Sequence, residues 1–61
     1  MTITKADVGR WVTVRYTDTG RKDVLLVEVS DTSGKVFEPY EGLDSIELTQ
    51  IVEKREFQTA A

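Results

Sequence analysis

Hydrophobic and polar residues alternate most clearly over Arg10-Trp11-Val12-Thr13-Val14-Arg15-Tyr16. Val12, Val14 and Tyr16 fall on one face; Trp11, Thr13 and Arg15 fall on the other. β-Branched and aromatic residues fit a pleated, half-buried surface, so this period of two predicts a strand. Thr17 to Lys22 breaks the alternation with Asp, Thr and Gly, which bond to local backbone or supply a positive φ, and predicts a turn. Asp23 to Ser30 predicts a second strand, with Leu25, Val27 and Val29 on one face and Val24, Leu26, Glu28 and Ser30 on the other. Apolar residues on both faces at its start predict a central, strongly bent strand covered on two sides.

Asp31 to Gly34 has hairpin-turn chemistry. Lys35 to Tyr40 predicts a third strand, with Val36, Glu38 and Tyr40 opposite Lys35 and Phe37. Pro39 has no N–H to give to a ladder and marks an edge or the end of that strand. Glu41 to Asp44 predicts a turn, and Ser45 to Leu48 a short fourth strand with Ile46 and Leu48 inward. Thr49 to Ile51 fits a single 3₁₀ turn. Val52 to Phe57 predicts a polar fifth strand at an edge. Residues 43–57 also admit a helix, because Leu43, Ile46, Leu48 and Ile51 can share a helical face and Glu, Gln and Lys form helices well. Before the first strand, Thr4 and Asp7 have the capping-box pattern and Gly9 ends a single helical turn. Residues 58–61 are expected to fray.

The sum is an all-β chain, one domain over residues 1–61. It is a small five-stranded, strongly bent barrel with a short N-terminal helical turn and a 3₁₀ turn before the last strand. The expected core is Val12, Val14, Leu25, Val27, Val29, Val36, Phe37, Ile46, Leu48 and Ile51. In order and spacing, Val8–Val14, Gly20–Val29 and Ile46–Val52 resemble the SH3-like group of small barrels, especially its Tudor-type members. The resemblance covers about 45 residues by pattern, without a signature motif, and so implies a fold and not an activity.

In Tudor-type barrels the loops after the first and third strands share one end, where aromatics form a cage for a methylated cation. Tyr16, Asp18, Tyr40 and Asp44 fall at comparable places, although two aromatics are fewer than a full cage uses. Cation–π attraction to the rings and Coulomb attraction to the carboxylates imply a partner that presents a cationic side chain. Trp11 and Arg15, on the outer face of the first strand, complete the candidate binding residues, because exposed Trp, Tyr and Arg dominate interface energetics.

Composition removes most alternatives. Sixty-one residues make one small domain, which buries only about 60% of its unfolded surface. The chain has neither Cys nor His, which removes disulfides, thiolate and imidazole metal sites, and triad chemistry. Asp18-Thr19-Gly20 is the aspartic-protease tripeptide, but in so short a chain it reads as an ordinary turn. Glu38, Glu41 and Asp44 lie around a turn at a spacing that fits no calcium loop, so no metal and no cofactor are expected. The longest apolar run, Val24 to Val27, is far below the roughly 20 residues that span a bilayer. These features point to a soluble cytoplasmic protein that is not an enzyme.

The formal net charge of -3 argues against a general nucleic-acid binder. The charges are nevertheless segregated: Lys5, Arg10, Arg15, Arg21 and Lys22 precede a stretch from Asp23 to Glu53 whose single cation is Lys35. The reading is a module that binds a protein or peptide. The alternative is a nucleic-acid-binding barrel using Arg10, Arg15, Arg21 and Lys22 with Trp11 as a stacking platform. A thin core and a free strand edge also favour a homodimer.

Overall fold

A computed structural model describes residues 1–59. Five strands form one antiparallel sheet: β1 (Arg10–Tyr16), β2 (Gly20–Val29), β3 (Ser33–Glu38), β4 (Gly42–Glu47) and β5 (Ile51–Phe57). Their order across the sheet is β4-β3-β2-β1-β5. Single 3₁₀ turns occupy Lys5–Asp7 and Leu48–Gln50. Residues 43–57 are therefore strand, turn and strand. The described part of the expected frayed tail, Gln58 and Thr59, is exposed and outside any element; Ala60 and Ala61 lie outside the described residues. Among the described residues no helix is long and apolar enough to cross a membrane.

The first strand and its neighbours form for local reasons. The Thr4 hydroxyl accepts from the Ala6 N–H, and the Thr4 N–H donates to Asp7 Oδ2 at 2.9 Å, the reciprocal capping box. Gly20 opens β2 at φ +78°, a conformation that strains side-chain-bearing residues, which keeps the β1–β2 turn to Thr17–Thr19. β2 thus starts three residues earlier than its hydrophobic pattern indicated. β3 ends at Glu38, so Pro39 terminates the strand instead of marking an edge, and Tyr40 lies beyond it.

The core is Val12, Val14, Val24, Leu26, Val29, Val36, Ile46 and Ile51, with Ile3, Tyr16 and Leu48 packed against it. All five strands contribute to this one cluster, so the sheet curls around it, each buried side chain contributing roughly 1.5–3 kcal/mol. Bulges between Leu26 and Glu28 and at two places along β1–β5 supply the bending. The first bulge also corrects the expected core. Val24 and Leu26 are fully buried, whereas Leu25 and Val27 are half-buried on the outer side, and past the bulge Val29 turns inward again. Phe37 is 39% exposed and likewise outside the core. Gly34 lies within β3 and not in a turn. A Cβ there would stand 2.9 Å from the Glu28 carbonyl oxygen, so only glycine lets the strands approach this closely.

Candidate binding surface

Tyr16 ends β1 half-buried against the core, with its hydroxyl buried and without a hydrogen-bond partner. Lys22, near the start of β2, reaches across the strand. Its Nζ lies 5.8 Å from the centre of the Tyr16 ring and 2.7 Å from Glu38 Oε1. Glu38 shares the inner face of β3 with Val36 and is buried. The hydrogen bond from Lys22 holds the Glu38 carboxyl below its ordinary range and raises Lys22 in turn. Burial raises the Tyr16 phenol, and the charges of Glu38 and Asp44 push it further up. This end of the sheet therefore gathers Tyr16, Lys22 and Glu38.

Tyr40 does not join them. Its ring is 100% exposed in the β3–β4 turn, with no packed neighbour. Asp18 is exposed in the β1–β2 turn. Of the residues proposed for a cage, Tyr16 has the chain's own Lys22 over its ring and Tyr40 stands wholly in solvent. Arg15 is exposed and directly opposite Arg21 in the β1–β2 register. Arg10 lies 3.4 Å from Asp7 and 4.2 Å from the Phe57 ring centre. Of the four cations assigned to a nucleic-acid surface, Arg10 and Lys22 are thus tied to carboxylates. Among the described residues no group of three acids comes together to hold a metal ion.

A different feature emerges on the outer face. The registers place Trp11 opposite Leu25, Leu25 opposite Phe37, and Phe37 opposite Leu43. Directly paired residues share a face, so these four side chains form one apolar row across β1, β2, β3 and β4. Exposure rises along it, from half-buried Trp11 and Leu25 to 39% for Phe37 and 67% for Leu43. Beside Trp11 a shallow cleft is lined by Asp23, Arg55 and Glu56. A polar network stiffens that rim: the Thr13 hydroxyl donates to Asp23 Oδ1 at 2.6 Å, and Arg55 Nε donates to Thr13 Oγ1 at 3.1 Å. Arg55 also pairs with Glu53 at 3.3 Å.

Of the candidate residues, only Trp11 belongs to this row. Leu25 looks like a core residue in the sequence because β2 is apolar on both faces, Phe37 looks like one because it is a large apolar side chain within a strand, and Leu43 looks like part of a turn. The signal that could find them is the excess itself: β2 carries more apolar residues than one inner face can take. A scan against protein-family models finds no match, and searches of curated proteins and of solved structures find none either.

Proposed function

We propose that the chain is a non-enzymatic interaction module that binds a protein or peptide on the outer face of an SH3-like barrel. The observation that carries this reading is the row Trp11-Leu25-Phe37-Leu43. A domain with so thin a core would gain stability by burying these side chains, yet it leaves them facing solvent beside a polar rim. Contiguous exposed apolar surface with a polar border is the usual anatomy of a protein-binding patch. The strand order, with a 3₁₀ turn leading into β5, supports the SH3-like part of the reading.

The test is affinity capture from lysate of the source organism, with bound protein and nucleic acid scored separately. Wild type is expected to retain protein. Phe37→Ser and Leu43→Ser together are expected to release it without loss of fold, because neither ring nor isobutyl group fills the core. Retention of the same protein by the double variant, or capture of nucleic acid alone, would contradict the proposal.

A further inference from the structure

The geometry points to the free edge of β4 as a docking site for an extended, lysine- or arginine-bearing peptide strand; this rests on the protein-binding reading and specifies its partner. The Leu48 N–H donates to the Thr32 carbonyl at 3.0 Å. That bond fixes the phase of the β3–β4 ladder, in which bonded pairs recur at every second residue. Asp44 and Ile46 therefore turn their backbone groups to β3, and Leu43, Ser45 and Glu47 turn theirs outward.

Two of these outward N–H groups are covered by the chain's own side chains. Ser45 N–H donates to Asp44 Oδ1 and Glu47 N–H donates to Gln50 Oε1, each at 2.9 Å. Both caps are solvent-exposed, so the carbonyls of an incoming strand can displace them. β4 also pairs with β3 over six successive residues without a bulge, which leaves a straight template. The opposite edge, β5, is bulged twice against β1 and carries Glu53-Lys54-Arg55-Glu56, devices that discourage strand addition.

Charge selects the occupant. Glu41, Asp44 and Glu47 are all exposed at or beside this edge, against Lys35 alone on β3. Two copies joined through β4 would set these acids against themselves. A strand alternating cationic and apolar residues would instead place its cations beside Asp44 on one face of β4 and its apolar groups beside Leu43 on the other, extending the row of Phe37 and Leu43 by one strand, while Glu41 and Glu47 add longer-range attraction.

The probe is an end-blocked peptide of alternating Lys and Val, titrated into the full chain and followed by backbone amide shifts and hydrogen exchange. It is expected to slow exchange at Leu43, Ser45 and Glu47 and to bind more weakly as salt rises. The same peptide N-methylated at alternate residues, and an alternating Glu/Val peptide, are expected not to bind. Ser45→Pro removes one outward N–H without touching the β3 ladder and should weaken binding roughly three- to tenfold, the value of one backbone hydrogen bond. Asp44→Asn with Glu47→Gln should flatten the salt dependence. No response at β4 up to millimolar peptide, equal binding of either control peptide, or a doubled mass by light scattering without peptide would overturn the edge proposal. Responses confined to Trp11 and Leu25 would overturn the edge while leaving the outer-face reading standing.

Discussion

The Lys22 ammonium lies 2.7 Å from the Glu38 carboxylate and above the ring of Tyr16. Glu38 points to the inner face of the sheet, so Lys22 is the cation that makes a core-facing carboxylate tolerable. Removing Lys22 leaves that charge unpaired, whereas neutralising Glu38 leaves an ammonium that can swing into water. Lys22→Met is therefore expected to lower the thermal midpoint more than Glu38→Gln does, because an orphaned buried charge costs more than a lost pair. Melting curves of the two variants and the double variant check this. Equal effects would mean that Glu38 is already well solvated.

The pH dependence follows from the same groups. Asp7 is lowered from 3.8, first by the Thr4 N–H and then by Lys54 and Arg10, and Glu38 is lowered from 4.5 by Lys22. A lowered carboxyl contributes stability that is present above its unfolded pKa and lost as pH falls through its folded value. The protein should thus lose stability below about pH 4.5. Lys22 and Tyr16 are raised from 10.5 and 10.0. Their contributions are present at neutral pH and decline as pH rises through the folded values. Thermal midpoints across pH should fall in both windows and stay level between them, with Asp7→Asn shrinking the acid arm.

Adjacent leucines on β2 should behave oppositely. Leu26 is fully buried and Leu25 is half-buried in the outer row. Leu26→Ala is expected to cost about 2–5 kcal/mol, a large part of what so small a domain has. Leu25→Ala should cost about 1 kcal/mol or less in folding, as surface changes do. Urea unfolding of the two variants distinguishes them, and a larger loss for Leu25 would show that the inner face of β2 is misassigned.

Tyr40→Ala should leave the thermal midpoint within experimental error, since a wholly exposed ring contributes almost nothing to packing. It should also leave the alkaline titration of Tyr16 unchanged. An unfolded variant would place Tyr40 in the core after all.

Period and turn chemistry made the strand set legible. β1 has the bounds its alternation indicates, and Thr4 with Asp7 marks the first 3₁₀ turn. What could not be read is the phase of β2. Val24-Leu25-Leu26-Val27 fits either face; the β1–β2 register, with Val24 opposite Val12, turns Val24 and Leu26 inward, and the bulge after Leu26 shifts the phase so that Val29 is inward too. Phe37 is outside the core for a simpler reason: it stands between inward Val36 and Glu38 in β3, so the pleat turns it to the outer face opposite Leu25. Tyr40 lies beyond the end of β3, because Pro39 terminates the strand and leaves the next ring in solvent. The N–H caps of β4 by Asp44 and Gln50 depend on geometry that no spacing reports.

The outer face is tested most directly by a photo-crosslinking residue placed at position 37 in the living source cell. A protein adduct is expected from position 37 and from position 43, and not from position 31 in the exposed β2–β3 turn. Leu25→Ser, which disturbs the row beside the probe, should diminish the adduct while circular dichroism remains that of an all-β chain. Absence of a protein adduct at positions 37 and 43, or an equal yield of the same adduct at position 31, would contradict a binding role for this face.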